Sequence, residues 1–478
     1  MKILSKYWPL AIILLFFSIS YSVLSVVRHN HYQSYGYDLG IDDQIVWHYS
    51  NFHLPITTID DTPFTLSLTN HVEIIYALIS PIYWIWDDVR FLLVVQAVVM
   101  VTSVIPVFLL AQKYKLKTFL CYAITIAYLT FFGVQNALWF DVHSTPFGAG
   151  FLAWFIYFLD RQKLRWAWLF FFLTLLSKEN FAALLFLVSL TYYFINRKKY
   201  HIYFMGIALV YLIFIFGIYF PHFVPGGYKY QPTGGILSSV NPLYLLNTTD
   251  KRSVFFYSLL SFGFIPLAYP LYLISYIGNL AIYFIFGRDV STAQGLFLQY
   301  RVDLVPLLSF ATILTIHRYK KWLNTKYIAI YILVCACAVQ YFLHLPLSYL
   351  SKRWFWSQPQ AVANINTLIS YIPPNAGVVS QNNITPHVSH RTDIFTLWPH
   401  KQTFLKNSPC GEKICDWFSW GGNPEYLIVD TSNNWDIRHL LGDRERFIDG
   451  LDNLEKEGYI KKDKQAGNAI LFKVLKNP

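Results

Sequence analysis

The stretch WPLAIILLFFSISYSVLSVV, at Trp8–Val27, decides what kind of chain this is. It contains no charged residue, and about 20 apolar residues are enough for a helix to cross the hydrocarbon layer of a bilayer. The stretch is longer than the apolar core of a secretory signal, and it lacks a small-x-small cleavage motif. It therefore predicts an uncleaved first membrane helix, preceded by the basic residues Lys2 and Lys6.

The same pattern returns along most of the chain. Hydrophobic residues make up 55% of the sequence and charged residues only 14%, against about 25% charged in a typical soluble protein. We expect the long run 166–196 to break into a hairpin, and the run 72–86 to lie along the membrane surface. With these choices the chain is predicted to form about eleven membrane helices. The predicted spans are 8–27, 91–112, 118–133, 146–159, 166–177, 181–196, 202–220, 253–269, 271–287, 302–317 and 326–345.

Basic residues, which give a net charge of +11, collect in short clusters between the apolar runs. The main clusters are Lys2 with Lys6, Lys113 to Lys117, Arg161 to Arg165, Arg197 to Lys199, and Arg318 to Lys321. With eleven spans these clusters all fall on one side of the membrane, which the positive-inside rule identifies as the cytoplasm. Lys251 and Arg252, which this topology places outside, count against the orientation. The pattern predicts a multi-pass protein of the cytoplasmic membrane, with its N-terminus inside and its C-terminus outside. It argues against a nucleic-acid partner, which needs basic residues gathered on one soluble face.

The composition changes at about residue 353. This change predicts a membrane domain over 1–353, with a long first outer loop over 28–90, and a soluble, extracytoplasmic domain over 354–478. Short apolar segments that end in polar residues predict strands, and two segments have a helical pattern, so we expect a small α/β domain. The predicted strands are 377–380, 426–430 and 469–474, and the predicted helices are 365–372 and 446–457.

Two cysteines of the C-terminal segment, Cys410 and Cys415, lie close together in the sequence. In an oxidising compartment such a pair forms a small disulfide, which we predict here. Zinc is the alternative, but no second Cys or His pair follows at the spacing of a zinc finger.

The first residues that could take part in catalysis or binding follow directly after the first predicted helix. Asp38, Asp42 and Asp43 form an acidic cluster there, and a metal or a cationic ligand would offset their repulsion. A carboxylate at a membrane surface also suits a general base. The alternative is structural, with Asp38 as the N-cap of a helix. Further along, His71 and Glu73 either bind substrate or are interfacial side chains.

Other polar residues interrupt apolar surroundings. Asp141 and His143 are two residues apart, which suits a proton relay or a ligand clamp, or else a simple loop. Lys178 is a candidate ligand of a lipid phosphate, and with Glu179 it alternatively forms an ion pair at a hairpin tip. Arg301 is a second candidate phosphate ligand through its planar guanidinium, with snorkelling as the alternative.

These residues carry a resemblance to a known family. The motifs occur in the order Tyr37-Asp-Leu-Gly-Ile-Asp-Asp-Gln44, Asn70-His71, Pro81-Ile-Tyr83, Asp141-Val-His143, Lys178-Glu179 and Gln381-Asn-Asn-Ile-Thr-Pro-His-Val-Ser-His-Arg391. In this order they resemble the predicted membrane proteins called domain of unknown function 2079, over nearly the whole chain. The layout is similar to that of glycosyltransferases of the GT-C class. Val142 and Ser144 depart from the family pattern around His143.

The resemblance implies a polytopic α-helical membrane protein of GT-C type, in contact with the bilayer and a polyprenyl-phosphate-linked sugar. It implies that Asp38 or Asp43 is the catalytic carboxylate, with the donor phosphate near Lys178 and Arg301. Asp42 is a candidate metal ligand, with a divalent metal such as Mg²⁺ or Mn²⁺ as an open question. Two alternatives stay open: a transporter or flippase of lipid-linked precursors, and a membrane-anchored assembly protein of the cell envelope.

Overall fold

The computed structural model describes residues 2–60, 64–230, 245–284, 294–399, 418–432 and 444–478. Its contacts divide the chain into two compact units. The helical unit consists of Met1–Ser25, Leu68–Leu78 and Leu93–Lys352, and the sheet unit consists of Val26–Ser67, Ile79–Leu92 and Arg353–Pro478. Residues 28–90, predicted as one outer loop, are therefore divided between the two units.

Helices cover the apolar runs, because a backbone inside a bilayer must satisfy its own hydrogen bonds. The described helices are α1 Lys2–Asn30, α2 Ile41–Ser50, α3 Ile75–Ile79, α4 Val89–Thr102, α5 Val104–Lys113, α6 Thr118–Leu129, α7 Phe132–Trp139, α8 Ser144–Asp160, α9 Leu164–Leu175, α10 Phe181–Asn196, α11 Tyr200–Phe214, α12 Phe220–Phe223, α13 Thr249–Leu260, α14 Pro270–Phe284, α15 Leu304–Tyr319, α16 Thr325–Leu343, α17 Arg353–Trp356, α18 Gln360–Ile369 and α19 Arg444–Lys456. The break predicted within 166–196 is confirmed, since α9 and α10 are separate helices.

Some of these helices are long enough to cross a bilayer on their own, and others are shorter. Within the described part of the chain, four helices or joined helices are long and apolar enough to span a bilayer: Tyr7–Asn30, Val89–Lys113, Tyr200–Phe223 and Thr325–Leu343. A fifth is obtained if α6 and α7, which bend by 42°, count as one span. Helices such as α9 and α14 are shorter, and at about 1.5 Å per residue they do not cover the roughly 30 Å of hydrocarbon alone. The count of eleven spans stays a prediction.

Gly133, in α7, allows an unusually close approach inside the helical unit. A Cβ atom at this position would lie 2.5 Å from the carbonyl oxygen of Arg301, in the 3-10 turn Gln299–Arg301. No side chain larger than hydrogen fits at that distance. The contact fixes where the Arg301 turn enters the helix bundle.

The sheet unit is built around a mixed five-stranded sheet. The described strands are β1 Ile56–Thr57, β2 Thr65–Leu66, β3 Val378–Ser380, β4 Ile394–Thr396, β5 Trp398–Pro399, β6 Phe418–Ser419, β7 Tyr426–Asp430, β8 Ile460–Ala466 and β9 Ala469–Val474. The main sheet has the order β4-β3-β7-β9-β8. Strand β3 runs parallel to both β4 and β7, whereas β9 runs antiparallel to β7 and β8.

Alternating side chains of the central strands fill two cores. Val378, Ile394 and Ile428 belong to one core cluster with Ile365 of α18. The next residues along the strands, such as Val379, face the other way and pack in a second cluster with α19. A sheet covered by helices on both faces needs strands that are apolar at every position. This explains why these short strands are continuous apolar runs.

The α/β prediction for the C-terminal segment is confirmed at the level of its elements. The predicted strands at 426–430 and 469–474 coincide with β7 and β9, and the predicted helices coincide approximately with α18 and α19. Strand β8, of sequence IKKDKQA, was missed because an edge strand rich in Lys lacks apolar alternation. The predicted Cys410–Cys415 disulfide lies outside the described residues.

Candidate functional site

In the sheet unit, Asp43 is the centre of a buried polar network. The side chain of Asp43 is fully buried near the start of α2. Its Oδ1 atom accepts hydrogen bonds from the Tyr83 hydroxyl and, at 3.1 Å, from Nε2 of His390. Its Oδ2 atom accepts a hydrogen bond from the Ser389 hydroxyl. Both carboxylate oxygens are therefore occupied by protein donors.

His390 bridges two carboxylates. While Nε2 faces Asp43, Nδ1 lies 2.8 Å from an oxygen of Asp87, so both ring nitrogens donate. Burial alone would lower the pKa of His390, but the charges and hydrogen bonds of Asp43 and Asp87 raise it to about 10. An imidazole that donates from both nitrogens is the cationic form. The network therefore holds a positive charge next to the Asp43 carboxylate at neutral pH.

This charge predicts a stability that depends on pH. The pKa of an unperturbed His is about 6.5, so the His390 contribution is complete below that pH and is lost as the pH rises through about 10. We expect the unfolding temperature of the purified chain to fall over this window. At pH 7 a His390→Gln variant should unfold several degrees below the native chain. Between pH 7 and 10 its unfolding temperature should fall by less than that of the native chain. The exposed His53→Gln serves as the matched control, and an identical pH profile in His390→Gln would contradict the assignment.

Backbone packing explains why the Asp cluster and the segment 381–391 meet. The amide of Gly36 donates to Asn382, with distances of 2.7 Å to its carbonyl oxygen and 2.8 Å to its side-chain oxygen. A Cβ atom on Gly36 would lie 2.8 Å from Cβ of Thr385. Asn382 follows the carboxyl end of β3, the central parallel strand. The carboxyl edge of parallel strands is where α/β sheets commonly place their functional residues.

Asp38 and Asp42 occupy different surroundings from Asp43. Asp38 lies in a π-helical turn, Gly36–Gly40, and is half-buried, whereas Asp42 is buried in α2. The alternative of Asp38 as a helix N-cap is wrong, because the π-turn begins after Tyr35 and no side chain caps it. Such π-turns occur frequently at functional sites.

A second polar cluster lies in the helical unit, around the loop between α9 and α10. Glu179 is buried, with 1% of its side chain exposed, and its Oε1 atom lies 2.8 Å from Nδ1 of His71. The Glu179 carboxylate also accepts bonds from the Val72 amide, at 3.0 Å, and from the Tyr228 hydroxyl, at 3.0 Å. Burial would raise the pKa of Glu179, but the charges of His71 and Lys178 lower it to about 2. Glu179 is therefore an anion that fixes the position of His71.

Lys178, the residue before Glu179, forms its ion pair with a different carboxylate. Its Nζ atom is 3.3 Å from Oε1 of Glu73, and the same oxygen accepts a 2.6 Å hydrogen bond from Ser144. The alternative of a Lys178–Glu179 pair at the hairpin tip is thus replaced by two crossed pairs, Lys178 with Glu73 and His71 with Glu179. Lys178 and Glu73 keep 15% and 14% of their side chains exposed. This end of the cluster is accessible.

Asp141 and His143 are held through their backbones. The side chain of Gln96 donates to the carbonyl of Asp141 at 2.9 Å and accepts from the amide of His143 at 2.8 Å. Asp141 has a φ of +69°, a strained value for a residue with a side chain. The His143 ring stacks on Phe140 at 5.4 Å between centroids. Gln96 therefore holds the backbone on both sides of Val142, and the side chains of Asp141 and His143 are buried in the helical unit.

Arg301 is fully buried, so the snorkelling alternative is wrong. Its Nε atom donates to the carbonyl of Gly295 at 3.0 Å, and the guanidinium lies over the rings of Tyr283 and Phe284, 4.9 and 5.3 Å from their centroids. Two residues on, Asp303 accepts bonds at 2.9 Å from the side chains of Asn279 and Tyr283. Asp303 was not among the predicted site residues, although it stands next to an apolar run.

Several partners were also missed from the sequence. Tyr83, Ser389 and His390 lie inside the short motifs that carried the family resemblance, so those motifs contained the signal. Asp87 and Tyr228 lie outside every motif. As for a metal, no group of three or more His, Cys, Asp or Glu side chains has a metal-binding arrangement among the described residues, and Asp42 is not part of one. A divalent metal stays a prediction.

Together, the apolar helices and the sheet unit define a membrane protein with an attached α/β unit. The family model described as "Predicted membrane protein (DUF2079)" matches residues 28–430. The chain therefore belongs to this family, which confirms the resemblance inferred from the motifs.

A similarity to a solved structure covers almost the whole chain. The crystal structure of ArnT from Cupriavidus metallidurans, bound to undecaprenyl phosphate, matches with a TM-score of 0.55 over 97% of this chain and 98% of ArnT. The sequences are 11% identical, so the similarity concerns the fold alone. No curated protein sequence matches the chain.

Proposed function

We propose that this chain is a GT-C-like membrane glycosyltransferase that moves a sugar from a polyprenyl-phosphate donor to an extracytoplasmic acceptor. The observation that carries the proposal is the cluster of Lys178, Glu73, His71 and Glu179 in the helical unit. Ionisable side chains among apolar helices are costly, and they are usually retained for function. The fold similarity to a protein crystallised with undecaprenyl phosphate supports the choice of lipid.

We assign the donor phosphate to Lys178. The ammonium carries three donors, and its distance to the Glu73 oxygen, 3.3 Å, is long for a charged hydrogen bond. A phosphate oxygen therefore competes well for the same group. In this assignment Glu73 holds Lys178 in place, and Glu179 orients His71. Arg301 receives a supporting role, because its guanidinium already contacts Gly295 and two aromatic rings.

For the catalytic carboxylate we choose Asp38 over Asp43. The two oxygens of Asp43 already accept bonds from Tyr83, Ser389 and His390, so Asp43 is a positioning residue. Asp38 would take the proton of the acceptor hydroxyl, whose oxygen then attacks the anomeric carbon. The bond from that carbon to the phosphate oxygen breaks, and its electron pair leaves with the lipid phosphate.

The remaining predicted residues keep narrower roles in the proposal. Asp141 and His143 are assigned to donor contact within the helical unit, where the hydrogen bonds of Gln96 fix the backbone position of both residues. Asp42 is the candidate metal ligand, with no metal assigned to a step.

Transfer from a labelled donor tests the proposal directly. Membranes that contain the chain should transfer radiolabelled sugar from polyprenyl-phosphate sugars to acceptor material, and membranes without it should not. The comparison should cover several donors, each with and without Mg²⁺ or Mn²⁺. If the native chain transfers none of them but moves the lipid between leaflets of a vesicle, the flippase alternative replaces the enzyme.

A further inference from the structure

A continuous chain of hydrogen bonds starts two residues after Lys178. The side-chain nitrogen of Asn180 donates to the Tyr283 hydroxyl at 3.0 Å. That hydroxyl donates to Oδ2 of Asp303 at 2.9 Å, and the side-chain nitrogen of Asn279 donates to the same oxygen at 2.9 Å. The four residues come from the α9–α10 loop, from α14 and from the residue before α15. All of them belong to the helical unit.

The direction of each bond in this network is fixed. In its ionised form Asp303 can only accept, so Asn279 and Tyr283 donate to it. Because the Tyr283 hydrogen is used there, Asn180 must donate to the Tyr283 oxygen. Both amides therefore turn their NH₂ groups into the network and their carbonyl oxygens out of it. The oxygen and nitrogen atoms of an amide have similar shapes, so shape does not orient these side chains. The pattern of donors and acceptors assigns the orientation of both Asn side chains.

Three oxygen atoms are left over. Asn180 Oδ1, Asn279 Oδ1 and Asp303 Oδ1 are buried and have no hydrogen-bond partner among the described residues. Buried acceptors without a partner are rare, because each loses its hydration without replacement. All three accept hydrogen bonds and none donates. A ligand that binds to these three atoms must therefore bring hydrogen-bond donors.

The surrounding charges decide between a cation and hydroxyl groups. The buried guanidinium of Arg301 lies over the ring of Tyr283, a member of the network, at 4.9 Å from its centroid. Asn180 and Asp303 also stand at the N-terminal ends of α10 and α15, where the helix dipole is positive. Both features disfavour a second cation. Neutral hydroxyl groups supply the donors without adding positive charge.

We infer that Asn180, Asn279 and Asp303 bind hydroxyl groups of the sugar on the lipid-linked donor. The inference rests on the proposed function, in which the donor phosphate is bound by Lys178, two residues from Asn180. It adds a binding site for the sugar itself. The site prefers a neutral sugar with several free hydroxyl groups over one that is cationic.

Binding measurements on the full chain in detergent test this site separately from catalysis. The probes are undecaprenyl phosphate and its glucose, mannose and galactose esters, with affinity read from quenching of tryptophan fluorescence. At least one ester should bind about tenfold more tightly than the bare lipid phosphate, which corresponds to about one well-made hydrogen bond to a charged group. Asn279→Leu should reduce this ratio to near one and leave affinity for the bare lipid phosphate unchanged.

The variants separate the two proposals. Lys178→Gln should reduce the affinity for the sugar ester and for the bare lipid phosphate by the same factor. The ratio of the two affinities should therefore stay the same. Since Asn279→Leu removes a bond to buried Asp303 and risks misfolding, Asn180→Ala provides a second variant in a loop, and it should lower the ratio as well. Asn468→Ala, at an exposed position of the sheet unit, is the matched control.

Three results would overturn the inference. The ratio could persist in both variants, no ester could bind better than the bare lipid phosphate, or Na⁺ or Ca²⁺ alone could bind in an Asn279-dependent manner. In each of these cases, binding of the bare lipid phosphate would still support the proposed phosphate site at Lys178. If neither lipid binds, the proposed function fails, and the sugar site fails with it.

Discussion

Replacing Lys178 by Gln is expected to reduce sugar transfer by about 100-fold, the typical effect of removing one electrostatic contact to a group that gains charge in the reaction. The lipid phosphate acquires its full charge as the sugar leaves, and Lys178 is the partly exposed cation of the cluster. Lys178→Arg should retain part of the activity, because the charge remains while the geometry changes. Initial rates at saturating and at low donor concentration measure both effects.

The Lys178→Gln variant needs a control, because it removes the ion-pair partner of Glu73. Glu73 lies 3.3 Å from Lys178 and would lose its cation in a partly buried place. The double variant Lys178→Gln with Glu73→Gln removes both charges. If Lys178 only neutralises Glu73, the double variant should recover transfer and thermal stability. If Lys178 binds the phosphate, stability should recover while transfer stays low.

The helical part of the fold was predictable because a bilayer imposes one strong condition. Runs such as 181–196 and 326–345 contain almost only apolar residues, and α10 and α16 cover them. The number of crossings was less predictable. Short helices such as α9 satisfy the apolar pattern without the length of a span, so apolar composition alone leaves their role open.

The C-terminal segment was predictable where its strands are buried on both faces and not where one lies at an edge. Strand β7 was found because Tyr426–Asp430 is apolar up to its polar end, whereas the Lys-rich strand β8 has five exposed residues in a row and no apolar period. The packing of residues 26–67 with this sheet had no local signal. It depends on contacts such as Gly36 with Asn382, which are hundreds of residues apart.

The candidate residues were predictable by type and not by partner. Lys178 and Glu179 stood out because they interrupt an apolar run, and an adjacent ion pair was a natural alternative. The structure instead gives each a distant partner, Glu73 for Lys178 and His71 for Glu179. Asp43 was similarly singled out as a catalytic carboxylate, although His390, which occupies one of its oxygens, follows it by more than 300 residues. Pairing at such separation requires the fold.

Asp38→Asn should lower transfer by about 10² to 10⁴-fold, the usual contribution of a general base, because the amide cannot take the proton of the acceptor hydroxyl. The variant should largely keep the unfolding temperature of the native chain, since Asp38 is half-buried in the π-turn and Asn has nearly the same size and shape as Asp. Transfer rates and thermal unfolding on the same purified protein measure both. Asp449→Asn, at an exposed position of α19, is the matched control.

Asp43→Asn should behave in the opposite way. It removes the carboxylate that faces cationic His390 inside a buried network, so we expect a loss of about 3 kcal/mol or more of stability. Its transfer activity per folded molecule should fall less than that of Asp38→Asn, because Asp43 acts through position. The pKa of His390 should also drop toward its ordinary value, which an NMR titration detects. If Asp43→Asn instead folds normally and abolishes transfer, while Asp38→Asn remains active, the two carboxylates exchange roles. The buried network around Asp43 then has to open for the acceptor, since its oxygens are otherwise occupied.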